Sequence, residues 1–370
     1  MNKEERTIIC ISNRFGYGPT ITLSHVIKKL VGRIPAHIVF AGSGICKEAF
    51  DSTLKNIVSF VEIDERDSNG IKQLLGLYDR KSTYLISCLN RLAILAAKEL
   101  QIPCVMVDFL TWMWNEIPSG YEQADYYFSN HFGTKNQKPY MIEVPLIMGP
   151  APINSNAKKE YFLINIGGTQ NHLVPGVPKQ YLTLLSALIN NLEIIEGTKV
   201  VVAGGAQAIA FMKNLNKRPE FRIESLPFSE YVSIQQRSKK ILSLAGTNST
   251  FYSFLLDVPV AFLLPQVLAH WKLTLFLKNK GFISHCQHWD DYMTVPADIQ
   301  KISEKESILL TETLAARVLS NEQLFRNILH DLQHMLQANI DTNSQKRFIN
   351  SIGIDGEEII CNHLEKTWFK

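Results

Sequence analysis

Three glycine-led turns, each closing an apolar run, hold the residues of this chain best suited to chemistry. FLINIGGTQN runs into Gly167-Gly168-Thr169, KVVVAGGAQ stops at Gly204-Gly205, and KKILSLAG reaches Gly246, followed by Thr247, Asn248, Ser249 and Thr250. Glycine lets the backbone come close to an anion, and the free N–H groups and positive end of a helix starting there then hold the charge. Three such turns in series, the last set among hydroxyls, point to a phosphate-bearing ligand. Gly204-Gly205 reads better as a plain strand exit than as a ligand contact. The polar run after Gly246 favours a ligand over a simple helix cap.

A second group of candidates lies in the first half. NRFGYGPT carries Arg14, and Gly16 and Gly18 on either side of Tyr17 make a tight loop. In VMVDFLTWMWNEIP, Asp108 ends an apolar strand, the edge at which open α/β sheets bind ligands, with Phe109, Trp112 and Trp114 close by. Aromatic walls around one carboxylate suit a flat molecule. Asp108 is therefore the candidate general base, with Glu116 and His131 as substitutes; a helix-capping Asp108 is the competing reading and stands level with it. Trp112 and Trp114 serve more often as core or lid packing than as stacking platforms. His285, Cys286 and His288 lack a spaced fourth ligand, and His330 and His334 lie off the apolar stripe of their helix without the Glu of a zinc-protease motif. No metal site is expected.

The elements that must position these residues follow a regular grammar. TIICIS, HIVFAG, IVSFVEI, STYLISC, IPCVMVDFL and DYYFSN alternate with helix-like stretches such as RLAILAAKEL, and Leu23, Val26, Ile27 and Leu30 fall at helix spacing. That is βαβ alternation and implies a parallel sheet covered on both faces. Around MIEVPLIMGPAPINSNAKKE the pattern dissolves into a linker; a second alternation starts at Tyr161 and includes an amphipathic helix with Tyr181, Leu184, Leu185, Leu188 and Leu192 on one face. Beyond Lys301 the chain reads as helix, with Leu324, Ile328, Leu332 and Met335 in one stripe and Ile360, Leu364 and Trp368 in another. The expected organisation is a Rossmann-like domain over 1–150, a linker over 151–160, a second Rossmann-like domain over 161–300 and a closing helical tail over 301–370.

With 370 residues, 46% hydrophobic and 20% charged, two domains of ordinary size can bury a full core. A net charge of +3 and the lack of any Lys/Arg block interleaved with aromatics argue against nucleic acid as the main partner. Six cysteines without C-x-x-C pairing read as reduced thiols of a cytoplasmic protein, and no apolar run is long enough to span a bilayer.

Two Rossmann-like domains in tandem, with phosphate loops concentrated in the second, resemble the GT-B architecture of nucleotide-sugar glycosyltransferases. The order of elements in AGTNSTFYSFLLDVPVAFLLPQVLAHWKLTLFLKNKG is similar to the donor site shared by the lipid II-forming N-acetylglucosaminyltransferase and the UDP-glycosyltransferases. IESLPFSEYVSIQQRSKKILSLAG resembles the segment that holds uracil there, which implies that Leu226 and Phe228 lie near the base. The departures are specific. The family's ribose-binding acid falls on Tyr252, and its acidic-amide pair falls on Leu268-Ala269, leaving Gln266, His270 and Lys272 to hold the hydroxyls. No His, Asp or Glu follows the first glycine loop where plant-type enzymes carry their base. The FGYG loop with the Asp-x-Leu-x-Trp run also resembles the cytosylglucuronate synthases of nucleoside-antibiotic pathways, with Arg14 as the cation for a sugar carboxylate.

The resemblance implies a cytoplasmic, metal-independent and inverting glycosyltransferase without a resident cofactor, with a UDP-sugar as co-substrate. Its acceptor would be a small molecule held by the first domain, and domain closure would assemble the site. A UDP-sugar 2-epimerase or hydrolase on the same fold is the competing enzyme. A non-catalytic sugar-nucleotide-binding or partner-binding module is the competing non-enzyme.

Overall fold

The computed structural model describes residues 6–130, 132–133, 137–149, 157–170, 172–194 and 197–369. The chain divides into two compact units: residues 1–150 with 352–370, and residues 151–351.

The first unit contains β1 (Arg6–Ser12), α1 (Gly18–Leu30), β2 (Ala36–Gly42), α2 (Ile45–Ala49), β3 (Ser59–Glu62), α3 (Ser68–Gly76), β4 (Thr83–Cys88), α4 (Arg91–Glu99), β5 (Cys104–Asp108), β6 (Tyr126–Asn130) and β7 (Met141–Val144). These strands form a parallel sheet in the order β3-β2-β1-β4-β5-β6-β7 among the described residues. β1 and β5 are nearly wholly buried because helices cover both faces, which is why they read as continuous apolar runs rather than alternating ones. The expected stripe of Leu23, Val26, Ile27 and Leu30 is the buried face of α1. β7 corrects the sequence reading: MIEV, read as the start of the linker, pairs with β6 in the sheet.

The second unit contains β8 (Tyr161–Asn165), α5 (Lys179–Asn190), β9 (Lys199–Ala203), α6 (Ala206–Lys213), β10 (Arg222–Glu224), α7 (Phe228–Gln236), β11 (Ser238–Ser243), α8 (Thr247–Leu255), β12 (Val260–Phe262), α9 (Leu268–Asn279), α10 (Glu304–Leu319), α11 (Glu322–Gln337) and α12 (Asn343–Ile352). Its parallel sheet runs β10-β9-β8-β11-β12. Tyr181, Leu184, Leu185 and Leu188 of α5 are buried in its core, as are Ile328, Leu332 and Met335 of α11.

The 301–370 stretch is not a single tail. α10 and α11 belong to the second unit, whereas α13 (Gly356–Trp368) packs on α1 with Ile360, Cys361, Leu364 and Trp368 in the first unit's core. Arg33 fixes that packing, donating to Glu358, Asn362 and Glu365. Cys10, Cys46, Cys88, Cys104 and Cys361 are buried free thiols, and Cys286 is half-buried. Among the described residues no helix is long and apolar enough to cross a membrane.

Candidate functional site

In a doubly wound sheet the loops at the carboxyl ends of the strands diverge where the chain reverses direction, and ligands bind in that crevice. The first unit reverses between β1 and β4. There Leu89 takes the rare left-handed conformation, φ 57°, and its carbonyl accepts from Asn13 Nδ2 (3.0 Å) and Tyr121 Oη (2.9 Å). A non-glycine residue holds such a conformation only when its surroundings over-determine it. Gly16 is also left-handed, φ 64°, as the tight loop requires. The candidate Arg14 donates to Ser43 Oγ (2.8 Å) and pairs with Glu65 (Nε–Oε1 3.5 Å), while Glu65 Oε2 accepts from the backbone and hydroxyl of Ser43. Tyr17 donates its hydroxyl to Glu48, 2.8 Å. A Cβ on Gly18 would lie 3.2 Å from the Phe109 ring, so the FGYG loop and the segment after β5 are packed together.

Asp108, read from the sequence as a base or a cap on equal terms, is enclosed. It is 1% exposed, and three donors converge on it: Leu110 N at 2.7 Å, Trp114 Nε1 at 2.8 Å and Tyr127 Oη at 2.5 Å. Burial pushes its pKa up to about 6, with the three hydrogen bonds opposing. A carboxylate enclosed in this way fixes the loop that follows it and presents no lone pair to solvent. Trp112 is buried, donates to Phe109 O (3.1 Å) and stacks on Phe132, which is core packing. Glu116 is exposed on the following loop. His131 lies outside the described residues.

The second unit reverses between β8 and β11, whose carboxyl ends are joined by Asn165 Nδ2 donating to Ser243 Oγ at 2.8 Å. Gly167 follows β8 with φ 63° and donates its N–H to Asn165 Oδ1 (3.1 Å). Gly246 follows β11 as the N-cap of α8, with no side-chain cap, and residues 246–249 are half-exposed. An uncapped helix start at a switch point is where an anion is best held. Thr250 differs from expectation: it is fully buried one turn into the helix, and its hydroxyl has no hydrogen-bond partner among the described residues. On the two flanking loops, buried polar groups also lack partners among the described residues: Thr169 Oγ1 and Gln170 Oε1 after β8, Gln266 Nε2 and His270 Nδ1 after β12. Groups left so are costly, by ~1–3 kcal/mol each, unless something satisfies them. His270 has its pKa lowered to about 4 by burial, so near neutrality it is an uncharged imidazole.

Two other helix starts of this unit, those of α9 and α5, are already taken. Glu304 of α10 accepts from the N–H groups of Leu268 and Ala269 at the start of α9, both at 3.0 Å. Glu312, two turns along α10, accepts from Gln180 and Tyr181 at the start of α5. Neither glutamate was visible as a site residue in the sequence, since each acts on a helix start far away in the chain. Phe228 begins α7 and its ring meets that of Tyr252, 5.4 Å between centroids; the tyrosine at the position of the family's ribose acid is buried.

No protein-family model matches the chain, and no curated protein sequence matches it. Solved structures do. A UDP-glucosyltransferase from Polygonum tinctorium capable of glucosylating indoxyl is similar over 100% of both chains, with a TM-score of 0.56 at 13% identity. UDP-GlcNAc 2-epimerase from Neisseria meningitidis, bound to UDP-GlcNAc, is similar over 98% of this chain and 100% of its own, with a TM-score of 0.55 at 15% identity. The S. aureus MnaA–UDP structure covers 94% of this chain and 96% of its own, with a TM-score of 0.52 at 12% identity. The fold is GT-B. At these identities the likeness extends to the fold and no further.

In this GT-B chain Gly204 has a packing role. A Cβ there would come within 2.3 Å of Ile166 Cγ1 and 3.0 Å of Gly167 O. Gly204→Ala is expected to destabilise the second unit by roughly 1–3 kcal/mol through overpacking, read as a lowered denaturation midpoint at unchanged m-value. An unchanged midpoint would show that Ile166 moves aside freely. His285 is bonded to Ser284, His330 and His334 are exposed, and no group of three or more His, Cys, Asp or Glu side chains among the described residues is placed to hold a metal ion.

Proposed function

We propose that the protein is a UDP-sugar-dependent glycosyltransferase whose second unit holds the donor. The observation that carries this is the uncapped, half-exposed start of α8 at the switch point, with partnerless polar groups on the loops to either side. An anion seated at Gly246 leaves the two ends of a sugar nucleotide to be held by the flanking loops. Leu226 and Phe228, at the start of α7, are the proposed base contacts. In the reaction an acceptor atom attacks the anomeric carbon as its bond to the diphosphate oxygen breaks, giving inversion. The α8 start would stabilise the charge gathering on the diphosphate.

The first unit would hold the acceptor among Tyr17, Phe109 and the loop to Trp114. Asp108 is the positioning residue of that loop. Transfer of glucuronate to a cytosine-type base is the narrower form of this reading. Arg14, already engaged by Ser43 and Glu65, lends no support to a uronate over a neutral sugar.

Epimerisation or hydrolysis on the same donor is the second reading. One feature favours it: Glu304 of α10, which caps the start of α9, has its pKa raised by burial to about 7, within the range of a group that gives and takes protons.

Thermal melting against a nucleotide and nucleotide-sugar panel tests the proposal. UDP and UDP-sugars at ~100 times Kd should add about 2.7 kcal/mol of stability. Mass analysis with UDP-glucose, UDP-GlcNAc and UDP-glucuronate, each with cytosine and other small acceptors, should then reveal a glycosylated product. Stabilisation by another nucleotide and not by UDP would overturn the donor assignment. Release or epimerisation of the sugar without transfer would favour the second reading, and binding without any conversion would leave a sugar-nucleotide-binding module.

A further inference from the structure

A continuous chain of hydrogen bonds joins the two glycine turns on either side of the second unit's switch point. Gly167 N donates to Asn165 Oδ1 (3.1 Å), Asn165 Nδ2 to Ser243 Oγ (2.8 Å), Ser243 Oγ to Leu244 O (2.6 Å), and Gly246 N closes the chain on that same carbonyl (2.8 Å). Its direction is fixed. The main-chain N–H of Gly167 can only donate and the carbonyl of Leu244 can only accept, so the amide of Asn165 must accept on one side and donate on the other. Asn165 is 5% exposed and Ser243 wholly buried, so a carboxylate or an apolar side chain at 165 would break the chain where water cannot repair it. The strands themselves do not need it. β8 and β11 are already held by their backbone ladder, which continues to Leu244 N donating to Asn165 O (2.9 Å). What the side chains add is a link between the loops beyond the strands.

Resting on the UDP-sugar reading above, we infer that Asn165 is the positioning residue for the donor's diphosphate. It touches no ligand atom; it holds the Gly167 and Gly246 turns at one separation, so that a single diphosphate meets both. The turns leave neighbouring parallel strands, about 4.8 Å apart, and glycine in each leaves a backbone free to settle in more than one arrangement. With Asn165 in place the separation is set before the ligand arrives, and little ordering of the two loops is left for binding to drive. The nucleoside stands outside this arrangement, because its proposed contacts, Leu226 and Phe228, lie at the start of α7.

Calorimetric titration of the full chain with UDP and with uridine separates this role from a purely structural one. Ser243→Ala, which cuts the chain at its middle and spares the ladder, should lose roughly 10-fold in UDP affinity and hold uridine within about twofold, the scale of one buried hydrogen bond. Asn165→Ala should lose at least as much, and the double variant no more than Asn165→Ala, since both substitutions cut one chain. Ser238→Ala removes a buried hydroxyl that donates to Ile234 O (2.7 Å) at the other end of β11, and should leave the ratio of UDP to uridine affinity unchanged. A folded Ser243→Ala protein with the unaltered ratio overturns the inference whether or not Asn165→Ala folds. So do equal losses for UDP and uridine, which would make Asn165 a structural residue of a valid donor site. Absence of UDP binding by the unaltered protein would instead remove the donor reading, and this assignment with it.

Discussion

Gly246→Val is expected to weaken UDP binding by roughly 10–100-fold, the loss that follows when one or two charge-assisted backbone contacts are blocked. The backbone itself tolerates the change, since Gly246 has φ −70° and ψ 136°, values open to any residue. What valine adds is bulk. A Cβ at this position already lies 3.1 Å from Ser249 Oγ, and the γ-methyls extend into the half-exposed space above the first turn of α8. Folding should persist, so melting without ligand should change little while the UDP-induced shift nearly vanishes. Thr250→Val is the matched control. Its hydroxyl is fully buried and partnerless among the described residues, so an isosteric valine should hold or raise stability and spare UDP affinity. If calorimetry finds Gly246→Val binding UDP normally, the anion seat lies elsewhere, and the Gly167 turn is the next place to look.

Asp108→Ala should produce the largest change in stability. It strands three donors, Leu110 N–H, Trp114 Nε1–H and Tyr127 O–H, inside the first unit. Each costs ~1–3 kcal/mol, and with some relaxation the sum is about 3–5 kcal/mol, or roughly 10 °C in the first unit's transition. Asp108→Asn should fall between, because its amide cannot present two acceptor atoms to these donors. The sign of the pH dependence follows from burial. Asp108 binds its proton more tightly in the folded protein, with a pKa of about 6 against the usual 3.8. Its contribution is therefore full below about pH 3.8, is lost as pH rises to about 6, and is flat beyond. That slope should be absent from the difference between the unaltered protein and Asp108→Asn if the assignment is wrong. A variant with normal melting but turnover lowered by ~10²–10⁴-fold would restore Asp108 as the base.

Much of the architecture was legible locally. Apolar runs ending in glycine announced β8, β9 and β11, helix-period stripes announced α1, α5, α11 and α13, and the positive φ at Gly16 and Gly167 matches what those turns demand. These features depend on neighbours a few residues apart, so composition and spacing carry them. β7 was missed because four residues of a short edge strand run straight into prolines, and only its pairing with β6 makes it a strand.

Charge placement was not legible, because it is decided between residues far apart in the chain. Glu304 reaches the start of α9 across some 35 residues and Glu312 the start of α5 across more than 130. Arg14, which a sequence presents as an available cation, meets Glu65 and Ser43 only once β1, β2 and β3 stand side by side. Asp108 at a strand's end is equally a base or a buried hub until Tyr127 arrives from the neighbouring strand. By itself the sequence determined two doubly wound sheets and glycine turns able to seat an anion. The tertiary structure alone decided which helix starts remain open to one, because a helix end is an anion site only until a carboxylate from elsewhere in the fold fills it.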